Sequence, residues 1–141
     1  MAYQGVLATH TAGGAVNSGA YTAVPFATEN HDTDSFHDLV TNNSRLTVPA
    51  GLGGYYKIYC NVTFTSGSST NFIGIRIRVN GGTVYAYAEH NPGNSQNRTL
   101  SLELVLNLSV ADYVEVEAIA TSANFATTAG ENFFGMYKVL A

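Results

Sequence analysis

The sequence is short of charged residues and of cysteine, and both shortages narrow the kind of protein it can be. Charged residues make up 11% of the 141 residues, against about 25% in an ordinary soluble domain. A lone monomer normally covers its surface with such residues. The deficit therefore suggests surface buried against copies of the chain or other partners, although Ser, Thr and Asn can also solvate a surface. The single cysteine, Cys60, excludes an intrachain disulfide and a thiolate metal site.

Clustered positive charge, long apolar runs and a leader pattern are missing too. The net charge is −4 and the six basic residues are scattered, apart from Arg76 and Arg78. Nucleic-acid binding needs clustered positive charge, so we expect no nucleic-acid partner. No apolar run reaches the roughly 18 residues of a membrane span, so we expect no membrane partner. Met1 to His10 lack the basic region and apolar stretch of a signal peptide, so we expect no export through a standard leader.

Motifs for catalysis are also lacking. The sequence contains no G-x-S-x-G nucleophile elbow, no H-E-x-x-H and no P-loop. Four histidines, at positions 10, 31, 37 and 90, are available as bases, but no pattern places a nucleophile and an orienting group beside any of them. We therefore expect no enzyme, no catalytic residue and no cofactor.

One acidic cluster leaves two interpretations open. Asp32, Asp34 and Asp38 stand at nearly alternate positions beside His31 and His37, and oxygen ligands so spaced suit calcium. However, the glycine and glutamate of an EF-hand loop are missing. Carboxylates that accept backbone hydrogen bonds in a solvated loop give the second interpretation. No metal site is predicted, and calcium binding by this loop stays an open alternative.

What the sequence does have is alternation. In the segment Tyr56 to Phe64 every second residue is apolar, and most residues between them are polar. Segments 73–79, 100–108 and 114–120 repeat the pattern. A period of two is typical of a half-buried strand, whereas helical neighbours stand three and four apart. Cys60 falls on the inward side of its segment, which favours a small core residue.

Turn residues separate these segments. Asn80-Gly81-Gly82 predicts a tight hairpin, and Asn91-Pro92-Gly93-Asn94 predicts a turn. Further strands are predicted over 2–9, 21–28, 44–48, 83–89 and 132–141. Many evenly spaced strands without a helix pattern predict an all-β antiparallel two-sheet sandwich. We expect one domain over residues 1–141, in which residues 1–19 form a first strand and a flexible loop that could serve as a docking arm.

The last segment, NFFGMYKVLA, is apolar on both faces. A strand of this kind is buried on both faces, and in a two-sheet sandwich one of those faces must meet another chain or a covering loop. Outward tyrosines elsewhere in the sequence point the same way, because aromatic residues are enriched at protein interfaces. Aromatic residues at strand ends covered by loops remain the alternative.

Motifs spread from Gly5 to Leu140 carry a resemblance to a known family. They are Phe26, Asp32-Thr33, Asn43-x-Arg45-x-Thr47-Val48-Pro49, Gly54-Tyr55-Tyr56, the Asn80-Gly81 hairpin, Ala111-Asp112-Tyr113-Val114 and Phe134-Gly135. Together they resemble the tumour-necrosis-factor-like jelly roll of complement globular heads, and more closely its relatives in bacteriophage structural proteins. The resemblance implies a jelly-roll sandwich that forms compact trimers. Immune signalling is not carried over, because the sequence has no signal peptide, collagen-like stalk or disulfide pair.

The resemblance also implies that the last strand and the outward tyrosines lie near a threefold axis. The residues predicted to form this trimer interface are Tyr55, Tyr59, Tyr113, Phe133, Phe134, Met136 and Tyr137.

The resulting functional hypothesis is a homotrimeric virion protein of a tailed bacteriophage, made in the host cytoplasm. A fibre tip usually carries a shaft in the same polypeptide, whereas this sequence reads as the knob alone, which favours a capsid decoration protein bound to the major capsid protein or another virion protein. The alternative is a receptor-binding tip whose polar loops, Ser66 to Thr70 and Asn91 to Asn97, recognise a host glycan or surface protein. A ligand of the cytokine type would need an export route.

Overall fold

The chain folds into two antiparallel β-sheets packed face to face. The computed structural model describes residues 2–66, 72–91, 93 and 96–140, and this part of the chain forms strands without a helix. In chain order the strands are β1 (Gly5–Thr9), β2 (Thr22–Ala23), β3 (Thr28–Asp32), β4 (Arg45–Thr47), β5 (Gly54–Ser66), β6 (Ile73–Val79), β7 (Val84–His90), β8 (Arg98–Leu108), β9 (Tyr113–Ala120), β10 (Ala123–Phe125) and β11 (Phe133–Leu140).

The described strands form one six-stranded and one five-stranded sheet. The first sheet has the order β3-β1-β11-β5-β8, and β10 continues the edge of β5 beyond β11. The second sheet has the order β2-β9-β6-β7, and β4 pairs with the same strand, β9. Every pairing of these strands is antiparallel. The described residues contain no helix that is long and apolar enough to cross a membrane. The predicted fold class, an all-β antiparallel two-sheet jelly roll, is confirmed.

The core lies between the sheets and is built from the predicted inward residues. On β5 these are Tyr56, Ile58, Cys60, Val62 and Phe64, each at most 2% exposed. The opposing sheet contributes the isoleucines of β6 and the valines of β9. Because successive side chains of a strand point to opposite faces, this register sends the alternating polar residues outward.

The predicted second strand, 21–28, is wrong as a single element. The structure divides it into β2 in the second sheet and β3 in the first, joined by a crossover segment, residues 24–27. Val24 and Phe26 are fully buried there. The Val24 N–H donates to Val116 and the Phe26 N–H to Asn43. Alternation continues through the crossover because its apolar residues fill the gap between the sheets, and so the pattern alone does not reveal the change of sheet.

The predicted hairpin at Asn80-Gly81 is confirmed. Asn80 and Gly81 have φ angles of 53° and 65°, the left-handed region that tight two-residue turns require. The first strand, in contrast, is not a projecting arm. β1 is paired with β11 on one side and β3 on the other, and Val6 and Ala8 are fully buried. Thus β1 offers no free edge to another protein.

Candidate functional site

The outer face of the first sheet carries a row of aromatic side chains, and we call it the aromatic face. It is centred on Tyr3, Tyr59, Phe133 and Tyr137. Tyr59 projects from β5, whereas Phe133 and Tyr137 project from the neighbouring strand β11. Tyr3 lies just before β1 and is 52% exposed. The opposite side of these strands forms the core, so the aromatic face is the second apolar side of β11 that the sequence predicted.

The rings form a continuous chain across the strands. The ring centroids of Tyr59 lie 6.2 Å from Phe133 and 6.3 Å from Tyr137. Tyr137 lies 6.2 Å from Tyr3, which in turn packs edge-on against His31 at 5.4 Å. Such spacings are those of favourable aromatic pairs. The face is therefore pre-organised, because the rings support one another within a single chain.

A glycine lets the Tyr59 ring lie flat on the sheet. A Cβ atom on Gly135 would clash with the Tyr59 ring and would come within 2.8 Å of the Val6 carbonyl oxygen. The sequence motif Phe134-Gly135 contributed to the family resemblance, but the sequence alone gave no role for the glycine. Its role here is to remove the side chain that would hold Tyr59 away from β11.

Polar groups border the aromatic face along β8. Lys57 Nζ lies 3.0 Å from Glu103 Oε2, and the Ser101 hydroxyl donates to Asn61 Oδ1 at 2.6 Å. Together with Tyr59, Phe133 and Tyr137 they surround an open depression of about 430 Å³. Lys57 and Glu103 already pair with each other within the chain. A partner that covered the depression would therefore bury neither of these two charges unpaired.

Burial already affects the tyrosines of this face. It raises the pKa of Tyr59 above the ordinary value, with smaller contributions from the neighbouring Tyr3 and Tyr137 hydroxyls. Burial raises the pKa of Tyr3 in the same way, assisted by Tyr137. These phenols are therefore neutral at physiological pH and act as apolar surfaces with a hydrogen-bonding tip.

The structure corrects part of the predicted trimer interface. Phe134 and Met136 are 0% exposed because they point from β11 into the core, and so they present no surface to a second chain. Tyr113 belongs to β9 in the other sheet, where the Arg45 guanidinium lies 4.0 Å from the centre of its ring. Tyr55 lies on the same side of β5 as Tyr59 and is 44% exposed.

The acidic cluster is used by its own backbone. Asp32 accepts hydrogen bonds from the N–H groups of Phe36 and His37 at 3.0 and 2.9 Å. Asp38 accepts from the N–H groups of Val40 and Thr41, which lower the pKa of its carboxyl group. These are the turn contacts of the second interpretation. Among the described residues, no group of three or more His, Cys, Asp or Glu side chains is placed to hold a metal ion.

Charged residues of the second sheet form a compact network. Arg76 Nε lies 2.6 Å from Glu117, and Arg78 Nη1 lies 3.4 Å from the same carboxylate. Glu117 is therefore shared by the two arginines. Arg76 also lies over the Tyr21 ring at 4.3 Å.

Of the loops predicted to contact a receptor, residues 67–70, 92, 94 and 95 lie outside the described residues.

Comparisons with known proteins concern the fold. No protein-family model and no curated protein matches the sequence. The globular domain of zebrafish complement 1qA matches the structure with a TM-score of 0.75 at 11% identity, over 99% of this chain and 98% of that one. The Eiger tumour necrosis factor of S. frugiperda gives 0.74 at 12% identity, over 99% and 94%. This chain has the tumour-necrosis-factor-like jelly-roll fold. Murine APRIL gives 0.72 at 13% identity, over 98% of this chain and all of that one.

The tumour-necrosis-factor-like fold extends over nearly the whole chain and includes β5 and β11, the strands that carry the aromatic face. The likeness rests on strand arrangement rather than on shared side chains, because only about one residue in eight is identical. The aromatic face is therefore a property of this sequence, read from its own residues.

Proposed function

We propose that the chain is a non-enzymatic structural protein that assembles into a homotrimer through the aromatic face and decorates the head of a tailed bacteriophage. The observation that carries the assembly is the connected row of rings on the outer side of β11, at a place where a soluble monomer would carry charge. The family resemblance seen in the sequence, which implies trimers, supports the same arrangement.

The required contact is modest for a chain of this size. A standard interface buries about 800 Å² on each partner, which is roughly one eighth of the 6582 Å² of exposed surface. Aromatic side chains dominate the energetics of such contacts. In a threefold ring each chain offers one patch to one neighbour and a different patch to the other. The aromatic face supplies the first of these patches.

Two of the four histidines available as bases, His10 and His37, contact loop atoms through both ring nitrogens. These contacts are structural, which supports a non-enzymatic role.

The proposed role on a phage head has separate support. Double-sheet jelly rolls recur in viral capsid proteins, and the sequence resembles phage structural proteins of this fold. On a symmetric shell many copies bind side by side, so a weak contact per trimer would be strengthened by repetition.

Sedimentation equilibrium tests the assembly. We expect a species of about 45 kDa, three times the 15.0 kDa of the chain. The variant Tyr137→Asp places a charge in the aromatic face and should yield folded 15 kDa monomer, whereas the control Tyr87→Asp changes a tyrosine that is 68% exposed on the other sheet and should stay at 45 kDa. A native chain that sediments as a stable monomer at micromolar concentration would refute the proposal.

A binding experiment tests the virion role. Purified protein is incubated with emptied capsids and, separately, with host cells. Saturable binding to capsids alone supports decoration. Binding to cells alone would favour the receptor-binding alternative, which is favoured by one observation: a polar cleft of about 520 Å³ lies at one end of the sandwich, beside Thr65, Asn124, Thr127 and Glu131. Hydroxyl, amide and carboxylate groups are those that hydrogen-bond a sugar.

A further inference from the structure

The tight turn between β6 and β7 contains the one Asn-Gly pair of the sequence, Asn80-Gly81. An asparagine followed by glycine loses its side-chain amide more readily than other asparagines, because glycine has no side chain to hinder attack by its own backbone nitrogen. Both residues are exposed, so water reaches the turn. Whether the pair reacts therefore depends on the conformation in which the fold holds it.

Deamidation of such a pair needs water and no other reagent. The Gly81 backbone nitrogen gives up its proton to water and bonds to the Asn80 Cγ atom, and the Asn80 Nδ2 group takes up a proton and leaves as ammonia. The product is a five-membered succinimide ring. Water then adds to either ring carbonyl and breaks one carbon–nitrogen bond, which leaves aspartate or isoaspartate at position 80. One water is consumed, one ammonia is released and nothing is oxidised.

The backbone of the folded turn opposes ring closure. Asn80 has a φ angle of 53°, in the left-handed region, where ψ is about +47°. At that ψ the nitrogen of the next residue lies nearly opposite Cβ about the Cα–C bond, whereas the five-membered ring requires both atoms on the same side. Gly81 can therefore attack only after Asn80 leaves the left-handed conformation, and that requires the hairpin to open.

The side chain of Asn80 is held as well, by the turn that precedes β9. Its Oδ1 atom accepts the Tyr113 N–H at 2.9 Å, and its Nδ2 group donates to Asp112 Oδ1 at 2.8 Å. Asp112 is fixed in turn by the Ser109 N–H, which donates to Oδ2 at 2.8 Å. The Asn80 N–H adds a bond to the Tyr113 carbonyl at 2.9 Å. We call these contacts the Asn80 clamp, and they join the β6–β7 hairpin to the start of β9.

We propose that Asn80-Gly81 is a deamidation site gated by the fold. The pair is protected while the Asn80 clamp is closed, reacts when the hairpin opens, and yields a product that hinders the hairpin from closing again. An aspartate at position 80 would keep an acceptor for Tyr113 but would turn a second carboxylate toward Asp112, and like charges at hydrogen-bond distance repel each other. Isoaspartate would lengthen the backbone of the turn. Every contact lies within one chain, so the gate does not depend on the proposed assembly.

Peptide mapping by mass spectrometry tests the gate in the intact wild-type protein. Native protein and protein unfolded in guanidinium chloride are incubated at one temperature in one neutral buffer, and conversion of Asn80 to aspartate or isoaspartate is followed. A peptide of residues 77–84, with and without the denaturant, corrects for any effect of the denaturant on the reaction itself. Each hydrogen bond that must break lowers the population of the reactive conformer by about two- to tenfold, so the two side-chain bonds predict a native rate at least about fivefold below the unfolded rate. Equal rates, or no conversion in the unfolded chain, would overturn the proposal.

The variant Asp112→Ala tests the clamp. It removes the acceptor of the Asn80 Nδ2 group without altering the reacting pair, so it should raise the native-state rate by at least about twofold and leave the unfolded rate unchanged. The matched control is Asp38→Ala, which removes another loop carboxylate that accepts two backbone N–H groups and should keep the wild-type rate. A folded Asp112→Ala variant that deamidates no faster than the wild type would refute the clamp. Should this variant fail to fold, the comparison of native and unfolded wild type still decides the proposal.

The variant Asn80→Asp reproduces one product and tests its effect on the hairpin. Amide hydrogen exchange is measured at Asn80 and Tyr113, whose N–H groups both donate within the clamp, and exchange at both should be faster in the variant than in the wild type. The control Asn42→Asp changes another asparagine in the left-handed region, with a φ angle of 52°, and should leave exchange at these two amides unchanged. Wild-type exchange rates in Asn80→Asp would contradict the claim that the product hinders closure.

Discussion

A single buried amide, Asn132, holds the turn before β11 in place. The residue is 0% exposed. Its Nδ2 group donates to the Ala126 carbonyl at 2.8 Å and to the His10 carbonyl at 3.4 Å. Its Oδ1 atom accepts the Thr63 N–H at 3.0 Å. One side chain thereby joins β5, the end of β1 and the segment that leads into the last strand.

The variant Asn132→Ala should remove all three bonds and leave buried backbone groups without partners. Thr63 and Ala126 are 4% and 3% exposed, so water does not readily replace the amide. Each buried group left unsatisfied costs about 1–3 kcal/mol. Two such groups give a loss of about 2–6 kcal/mol, which is a large part of the total stability of a domain of this size.

The assay is urea unfolding followed by circular dichroism at fixed protein concentration, since assembly would make the midpoint depend on concentration. The control is Asn124→Ala, whose side chain is exposed and whose loss should stay within about 0.5 kcal/mol. The variant Asn132→Asp keeps the acceptor for Thr63 but turns a carboxylate toward two carbonyl oxygens, so at pH 7 it should be at least as damaging as the alanine. A loss below about 1 kcal/mol for Asn132→Ala, or an Asn132→Asp variant as stable as the wild type, would refute the reasoning.

Two further predictions concern a thiol and a glycine. Burial raises the pKa of the Cys60 thiol to about 12, so at pH 8.5 the native protein should react with a disulfide reagent far more slowly than the protein in urea; equal rates would contradict this burial. Replacing Gly135 by alanine should displace the Tyr59 ring, because the new Cβ would clash with it. We expect a stability loss of about 1–3 kcal/mol by thermal unfolding, and a variant as stable as the wild type would show that Tyr59 does not rest on that strand.

Alternation predicted most of the strands because each sheet has one buried face. The pattern in β5, β6, β8 and β9 placed every inward residue correctly, since a shift by one residue would turn the whole apolar set toward water. On β8 the pattern predicted the direction of the side chains but not the degree of their burial, because the leucines at 100–106 are only half-buried. β8 lies at the edge of the first sheet, and a period of two does not distinguish an edge strand from a central one.

Two of the residues assigned to the candidate site from the sequence, Phe134 and Met136, lie in the core for a reason of geometry. The last strand is apolar on both faces, and nothing in such a pattern says which face belongs to the core. Cross-strand pairing decides it: Phe134 is opposite Cys60 and Met136 is opposite Ile58, and both partners point inward. Tyr3 was missed because it precedes its strand, and its contact with Tyr137 exists only once β1 and β11 are paired.

Charged residues on both sheets are already paired within the chain, which bears on how association would depend on salt. Lys57 pairs with Glu103 beside the aromatic face, and Arg76 and Arg78 share Glu117 on the opposite sheet. An ion that is already paired within the chain loses less when a partner covers it than an isolated one would. Association through the aromatic face would then depend on ring burial, whereas attraction between unlike charges would contribute little. It should consequently change little between low and physiological salt, because screening acts on exposed charges and leaves apolar burial almost untouched.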